Sequence, residues 1–253
     1  MRASLIGGAS LVTKYNQFVA IAGYVLRRFR GETGSSEDQT VAQSDSESTP
    51  AYLVFGATGG IGENLCRRLA TRGVRLILAA RGSERLEQLA AELHAVACPT
   101  DATRFEEVDA CVEKAMTLHG RLDGVTNCVG SLMLKSAHTT SEAEWLATMA
   151  TNLTSAFAVV RAGAKAMMST GGSIVLVSSA AARIGLANHE AIAAAKAGVI
   201  GLTLSAAATY AARGIRVNCV APGLIPHAHD RSVDGKRNGA QGFDGHARSG
   251  SHR

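Results

Sequence analysis

Apolar and polar residues form blocks that predict strands and helices in alternation from Ala51 onward. Short apolar runs predict buried strands, and the segments between them carry apolar residues at helical spacing. The predicted strands cover residues 52–55, 75–80, 95–98, 122–128, 173–178 and 215–220. The predicted helices cover residues 61–72, 83–93, 104–119, 187–212 and, as one long or broken helix, 141–168.

This alternation of strands and helices predicts the fold class. Right-handed crossovers place consecutive strands in one parallel sheet, with helices on both of its faces. We therefore predict an α/β fold with a doubly wound Rossmann sheet of six strands, in which ligands bind at the carboxyl ends of the strands. Polar or conformationally special residues follow the predicted strand ends: Gly56, Arg81, Asp101, Asn127, Ser179 and Pro222.

A glycine-rich turn follows the first predicted strand, with the sequence Gly56-Ala57-Thr58-Gly59-Gly60-Ile61-Gly62. Glycine allows positive φ angles and lets a ligand approach the backbone closely. The next helix directs its free N–H groups and the positive end of its dipole at this turn, so a phosphate is the natural guest. Spaced glycines alone also fit a plain tight turn, and the surrounding pattern has to decide between the two.

The first 50 residues differ in composition from the predicted domain. Residues 1–31 contain arginine and serine but no acidic residue, as organelle transit peptides do, so we predict targeting to a mitochondrion or chloroplast. The apolar run 18–26 is too short to span a bilayer. The alternatives to a targeting segment are a peripheral anchor at the membrane surface and a disordered extension of a cytoplasmic protein. Residues 32–50 are polar and predict a disordered linker.

Composition and charge exclude several kinds of function. Hydrophobic residues make up 46% of the chain and aromatic residues only 4%, so small apolar residues fill the core, as in parallel α/β layers. The net charge of +5 arises from residues 1–31 and 227–253, which makes it poor evidence for a nucleic-acid partner. The five cysteines are odd in number and lack CxxC spacing, so we predict free thiols and no metal site.

Motifs from residue 50 to about 226 resemble those of the short-chain dehydrogenases/reductases, which bind a nicotinamide dinucleotide on a Rossmann sheet. The turn 56–62 is similar to the glycine turn of that family. Asn127 and Gly130 keep the first and last positions of its Asn-Asn-Ala-Gly turn. The resemblance implies these cofactor-binding residues: Gly56, Thr58, Gly59, Gly60, Ile61, Gly62, Arg81, Asp101, Asn127, Gly130, Lys196, Pro222 and Gly223.

The same resemblance implies a catalytic set. Ser179 matches the serine that hydrogen-bonds the substrate oxygen, and Lys196 matches the catalytic lysine that holds the cofactor ribose. Asn152 matches the helix asparagine that fixes a proton-relay water. The implied reaction is oxidoreduction between a carbonyl and an alcohol on a small-molecule substrate.

Charge at the second strand end bears on the choice of cofactor. The position that resembles the acidic residue of NAD-binding relatives is Ala80, and Arg81 follows it. A guanidinium holds a phosphate through paired hydrogen bonds, so we predict NADP(H) rather than NAD(H). A solvated arginine is the alternative. The resemblance places Asp101 beside the adenine, and a plain surface aspartate is the alternative there.

The chain departs from the family at the proton donor. The family carries a tyrosine four residues before the lysine, and this chain carries Ile192 there. An isoleucine exchanges no proton, and losing a general acid costs about 10²–10⁴ in rate. His189 lies on the same helical stripe and is a substitute acid, although it also fits a surface residue at the start of the helix.

The end of the predicted domain also departs from the family. Residues 227–253 are rich in Gly, Arg and His and predict a disordered tail, where relatives continue with a substrate-covering segment and a last strand.

The sequence therefore predicts one of two functions: an NADP(H)-dependent oxidoreductase with an altered proton donor, or a non-catalytic dinucleotide-binding protein. Helices 104–119 and 141–168 are long enough for a homodimer interface.

Overall fold

The computed structural model describes residues 49–82 and 84–223. Its strands are β1 (Ala51–Phe55), β2 (Arg75–Ala80), β3 (Val96–Pro99), β4 (Gly124–Asn127), β5 (Gly172–Val177) and β6 (Ile215–Val220). Its α-helices are α1 (Gly60–Ala70), α2 (Glu84–Glu92), α3 (Phe105–His119), α4 (Glu142–Met149), α5 (Ser155–Ala166) and α6 (Glu190–Tyr210).

The strands form one parallel sheet in the order β3-β2-β1-β4-β5-β6, which confirms the predicted doubly wound Rossmann fold. The order reverses at β1: the chain moves outward from β1 through β2 to β3, then returns to the other side of β1 with β4. Such a reversal opens a crevice at the carboxyl ends of the two central strands, where doubly wound proteins bind their ligands. The glycine turn follows β1 directly and therefore lies at this crevice.

The hydrophobic core lies on both faces of the sheet. Successive side chains of a strand point to opposite faces. Leu53 and Phe55 therefore join the cluster under α3, α5 and α6, whereas Tyr52 and Val54 join the cluster under α1 and α2. All five residues of β1 are buried, as expected for a central strand of a parallel sheet that is covered on both faces.

The predicted helix 141–168 is broken in the structure. It consists of α4, a π-helical turn at Ala150–Thr154 and α5. Ser141 and Glu144 cap α4 reciprocally, because the serine hydroxyl accepts from the Glu144 N–H and the glutamate accepts from the Ser141 N–H. The wider turn falls on the segment that contains Asn152, as π-turns often do at functional sites.

The predicted helix 187–212 was placed too early at its start. Asn188 has a φ of +61°, a left-handed conformation outside the helical region, and His189 occupies the N-cap of α6. By length and composition alone Glu190–Arg213 is apolar enough to cross a membrane. A core helix of an α/β domain has the same composition, and here the buried face of α6 packs against β5 and β6.

The remaining strand and helix predictions are confirmed, with ends displaced by one or two residues. The predicted targeting segment 1–31, nearly all of the linker 32–50 and the tail 227–253 lie outside the described residues. Those three predictions stay predictions.

Candidate functional site

The glycine turn is built so that two of its glycines cannot carry a side chain. Gly56 has a φ of +75°, and a Cβ there would stand 2.8 Å from the backbone carbon of Cys128. A Cβ on Gly62 would stand 2.1 Å from the carbonyl oxygen of Gly56. The Gly56 N–H donates to the Ala79 carbonyl at 2.8 Å and ties the turn to β2. Helix α1 therefore begins directly against the backbone of the turn.

This turn exposes hydrogen-bond donors to the crevice. Gly59 and Gly60 are exposed, and the backbone N–H groups of Gly60 and Ile61 have no acceptor within 49–82 and 84–223. Thr58 is half-buried beside them. Free N–H groups at the first turn of α1 and the positive end of its dipole together suit an anion. The turn thus has the shape and polarity that a pyrophosphate needs.

Arg81 and Asp101 lie at the rim of the crevice, at the ends of β2 and β3. Arg81 is exposed. The Asp101 carboxylate accepts from the Thr103 N–H at 2.9 Å and from the Thr103 hydroxyl at 2.8 Å. These hydrogen bonds, aided by the charges of Arg81 and Arg104, hold the pKa of Asp101 below its usual range. Asp101 is therefore an anion held in a fixed position next to a solvated guanidinium.

Asn127 and Gly130 shape the turn after β4. Asn127 is buried; its side-chain nitrogen donates to Ser155 Oγ at 3.2 Å and its oxygen accepts from the Val129 N–H at 3.0 Å. A Cβ on Gly130 would stand 3.1 Å from Asn152 Oδ1 and 3.3 Å from Lys196 Nζ. The missing side chain of Gly130 therefore lets two predicted site residues approach the same point.

Asn152 is buried and lies in the π-helical turn. Its Nδ2 donates to the Thr148 carbonyl at 3.0 Å and to Ser131 Oγ at 3.1 Å, while its Oδ1 accepts from the Ser131 N–H at 3.1 Å. Both donors are used, but an amide oxygen has two lone pairs and only one is engaged by protein. The free lone pair can accept from one water molecule.

Lys196 projects from α6 to the end of β5, where its Nζ donates to the Val177 carbonyl at 2.9 Å. It is buried, and burial lowers the pKa of Lys196 to about 8, against the influence of the nearby Cys128 thiol. Ser178 fixes the helix here, because its hydroxyl donates to the Lys196 carbonyl at 2.7 Å. No carboxylate is bonded to this amine among the described residues, and its Nζ lies 3.3 Å from where a Cβ on Gly130 would stand.

Ser179, Pro222 and Gly223 meet at the same edge. Ser179 caps the short 3₁₀ turn Ala180–Ala182, and its Oγ accepts from the Ala181 N–H at 3.2 Å. The Ala180 N–H donates to the Pro222 carbonyl at 2.8 Å, which places the Pro-Gly turn beside Ser179. The hydroxyl hydrogen of Ser179 remains available to a substrate oxygen.

Ile192 lies one helical turn before Lys196 and is buried, 3% exposed, on the same face of α6. His189 is half-buried at the N-cap, with its Nδ1 2.7 Å from the Ala187 carbonyl. Because a carbonyl only accepts, Nδ1 carries the hydrogen in this contact. An aliphatic side chain therefore lies one helical turn before Lys196, where the family resemblance predicts a tyrosine.

A family model described as short chain dehydrogenase matches residues 50–237 of this chain. The chain belongs to the short-chain dehydrogenase/reductase family. Among curated relatives, D-threitol dehydrogenase from Mycolicibacterium smegmatis is 34% identical over 181 residues, 68% of this chain and 69% of that protein. The 3-oxoacyl-[acyl-carrier-protein] reductase of Staphylococcus aureus is 34% identical over 184 residues, 70% of this chain and 75% of that protein.

Solved structures of similar proteins have the same fold as this chain. A variant of actinorhodin polyketide ketoreductase, crystallised with NADPH, has a TM-score of 0.70 and 31% identity over 74% of this chain and 75% of that chain. A short-chain dehydrogenase/reductase from Mycobacterium ulcerans has a TM-score of 0.70 and 28% identity over 74% and 72%. The family membership of this chain implies a nicotinamide dinucleotide and a small-molecule substrate.

Sequence reasoning missed the residues that hold the site in place. Ser131, Thr148 and Ser178 bond Asn152 or Lys196, yet nothing in their spacing distinguishes them from other polar residues. Only the position of Ser178 directly before Ser179 pointed toward the site.

Within the described ranges no group of three or more His, Cys, Asp or Glu side chains is placed to hold a metal ion.

Proposed function

We propose that this protein is an NADP(H)-dependent oxidoreductase acting on a carbonyl or alcohol, with an altered proton donor. The observation that carries the proposal is the glycine turn, whose unpartnered N–H groups at Gly60 and Ile61 open on the β1–β4 crevice. On the same sheet edge lie the buried amine of Lys196 and the hydroxyl of Ser179. These groups fit the phosphate, the ribose and the reacting oxygen of a nicotinamide system.

Each residue then has a role that its contacts support. The bound dinucleotide supplies or accepts a hydride. The N–H groups at the start of α1 hold its pyrophosphate, and Lys196 holds the ribose hydroxyls. Ser179 donates its hydroxyl hydrogen to the substrate oxygen, and Asn152 fixes a water through the free lone pair of Oδ1.

The preference for NADP(H) rests on Arg81. It follows β2, and no carboxylate lies at Ala80, where an acidic side chain would repel a 2′-phosphate. Arg81 is exposed and so can pair with a phosphate at the rim. The structural neighbour crystallised with NADPH supports the same choice.

The proton has to come from a group other than a phenol. Water at Asn152 and the ring of His189 are the two sources, and His189 is already bonded to the Ala187 carbonyl at the helix start. The variant His189→Ala separates them: unchanged carbonyl reduction assigns the proton to water. Reduction that falls by about 10²-fold or more assigns it to His189.

A non-catalytic dinucleotide-binding protein is the second proposal, favoured by the buried Ile192 beside Lys196. One experiment separates the two. NADPH and NADH are titrated into the full chain by calorimetry, and a panel of ketones and aldehydes is then tested for NADPH oxidation. Binding with turnover supports the oxidoreductase, binding without turnover supports the second proposal, and no binding overturns both.

Assembly and location are further proposals. Helices α3 and α5 pack together through an ion pair of Arg161 with Asp109 and a ring contact of Phe105 with Phe157, which is still 48% exposed. This apolar helical face supports a homodimer, which sedimentation equilibrium tests. A fluorescent fusion that retains residues 1–31 tests organelle targeting.

A further inference from the structure

Two loops that begin at the candidate site carry large apolar side chains in exposed positions. Leu132 and Leu134 lie in the loop that follows β4, and Ile184 and Leu186 lie in the loop that follows β5. Each of the four is between 45% and 62% exposed, and no charged residue stands between the members of either pair. Exposed apolar side chains that are clustered, rather than scattered singly, mark interaction sites. We call these four side chains the apolar mouth.

The first loop is anchored so that its two leucines turn away from α4. The Ser131 N–H donates to Asn152 Oδ1 at 3.1 Å, and the Thr148 hydroxyl on α4 contacts Met133 Sδ at 3.8 Å. Met133 is half-buried, whereas the leucines on either side of it are exposed. Neighbouring side chains of an extended chain point to opposite sides, so the two leucines project from the side of the loop that α4 does not cover.

The second loop leaves the Ser179 turn and returns to the first loop. The Ile184 N–H donates to the Ala180 carbonyl at 3.1 Å, which ties the start of this loop to the residue after Ser179. The Lys135 N–H donates to the Asn188 carbonyl at 2.8 Å, which joins the far ends of the two loops. Along both loops, the residues of the apolar mouth therefore lie between the candidate site and this contact.

We propose that the apolar mouth binds the hydrocarbon part of the substrate, which makes that substrate a ketone, aldehyde or alcohol with an extended apolar chain or ring. This inference rests on the proposed function, since it places the reacting oxygen at Ser179. The two loops begin beside Asn152 and Ser179. A substrate that is held at Ser179 by its oxygen therefore has its remaining atoms beside the apolar mouth.

The chemistry of the apolar mouth favours this class over a polyol or an anion. Leucine and isoleucine side chains form no hydrogen bonds, and burying a polar group without a partner costs free energy. Lys135, at the end of the first loop, is already paired with Glu144 at 2.7 Å. Arg183 is exposed before Ile184 and is the cation with which a carboxylate substrate would pair. Ligands with polar and charged ends therefore have to be compared directly with apolar ones.

The test measures ketone binding to the full chain by calorimetry, with and without NADPH. The series runs from 2-butanone to 2-octanone, in which a fully buried methylene tightens binding by about fourfold. We expect a gradient of about twofold to fourfold for each added carbon, and tighter binding of 2-octanone than of 8-hydroxy-2-octanone or 7-oxooctanoate. An affinity that does not depend on chain length, or tighter binding of either polar-ended ketone, overturns the proposal.

Three variants locate the gradient. Leu134→Gln and Leu186→Gln each replace an exposed leucine of one loop with a polar side chain of similar size, and both should flatten the dependence on chain length. Leu204→Gln is the matched control, because Leu204 is equally exposed on α6 but lies about 21 Å along the helix axis from Glu190. The same gradient in all three variants overturns the proposal.

The outcomes also separate this inference from the proposed function. A gradient without NADPH oxidation supports the apolar mouth and counts against the oxidoreductase, whereas NADPH oxidation without a gradient supports the oxidoreductase and overturns the apolar mouth. Sedimentation equilibrium tests the other occupant, a second copy of the chain. If Leu134→Gln weakens a dimer and leaves the gradient in place, these loops are an interface between copies and the proposal is overturned.

Discussion

The glycine turn after β1 and the residues beside α6, Ser179 and Lys196, both lie at the carboxyl ends of the strands. The two regions differ in how closely their residues resemble the family pattern. In the turn, close backbone contacts at Gly56 and Gly62 permit only glycine. Beside α6, Ser179 and Lys196 match the family by resemblance, whereas Ile192 stands where the resemblance predicts a tyrosine. The turn that we propose for the nucleotide is fixed by its backbone, whereas the proposed proton-donor position depends on a single side chain.

This contrast follows from how each region is built. The turn is fixed by contacts between backbone atoms, so a single substitution there disturbs both the fold and the ligand site. The donor position on α6 is one side chain on a helix face that faces the core. Fully burying an isoleucine stabilises a fold by about 1.5–3 kcal/mol, so we expect an isoleucine at this position to be compatible with the fold. We therefore expect nucleotide binding to be independent of which side chain occupies the proposed donor position.

Ile192→Tyr should have the largest effect, which is on the rate of carbonyl reduction. It would restore the family residue at the proposed donor position and so remove the difference between the two regions. A phenol one helical turn before Lys196 restores a general acid, whose contribution is about 10²–10⁴ in rate. We expect NADPH oxidation by a carbonyl substrate to rise by that factor, measured by absorbance.

Ile192→Phe is the matched control, because it adds the same ring without the hydroxyl. A rate gain in the tyrosine variant and none in the phenylalanine variant supports the proton-donor interpretation. Equal rates in both variants would show that ring size rather than proton transfer changed the site.

The buried amine gives the next largest effect. Burial lowers the pKa of Lys196 from 10.5 to about 8, so the unfolded chain binds this proton more tightly than the folded protein does. The resulting cost to folding is present in full below pH 8 and disappears as the pH rises to 10.5. A shift of this size corresponds to about 3 kcal/mol.

Lys196→Met removes the titrating group. We expect the free energy of unfolding of the wild type, relative to the variant, to rise by about 3 kcal/mol over that pH window in urea titrations. Loss of the bond to Val177 shifts the variant equally at every pH. Lys165→Met on the exposed side of α5 is the control, and a pH-dependent difference of the same size there would refute the assignment to Lys196.

Sequence patterns predicted the fold and the glycine turn because both depend on local signals. Apolar runs mark buried strands, and spaced glycines mark a turn with close backbone contacts. The π-helical turn at Asn152 was not predictable, because its bonds to Thr148 and Ser131 come from tertiary packing. The late start of α6 at Glu190 was missed because a left-handed Asn188 leaves no periodic signal.

Side-chain partners were the least predictable feature. The amine of Lys196 bonds the Val177 carbonyl, and the amine of Lys114 on α3 bonds the Ala97 carbonyl on β3. These pairings depend on sheet order and helix orientation, neither of which a single sequence specifies. The absence of the phenol, in contrast, was readable, because the four-residue spacing between Ile192 and Lys196 is local to one helix.

Gly62→Ala tests the other side of the contrast. Its new Cβ would stand 2.1 Å from a backbone oxygen that cannot move without the turn, and overpacking of this kind costs about 1–3 kcal/mol. We expect this loss in urea unfolding, together with weaker NADPH binding in calorimetry. Gly201→Ala in α6 is the matched control: a Cβ there meets nothing within 4 Å, so stability should rise by up to about 1 kcal/mol. Equal losses of stability in both variants would show that the turn requires glycine no more than an exposed position of α6 does.

Arg81→Ala should have the smallest effect and sharpens the choice of nucleotide. A hydrogen bond to a charged group contributes about 1.5–3 kcal/mol of binding free energy. Arg81 is exposed at the rim, so we expect its loss to cost an amount at the lower end of this range. We expect NADPH to bind about tenfold more weakly and NADH to bind as before, because only NADPH carries the 2′-phosphate. Arg85→Ala is the control, since Arg85 is an exposed neighbour already paired with Glu63 on α1. If Arg81→Ala weakens both nucleotides alike, the guanidinium supports the turn in general and does not select a phosphate.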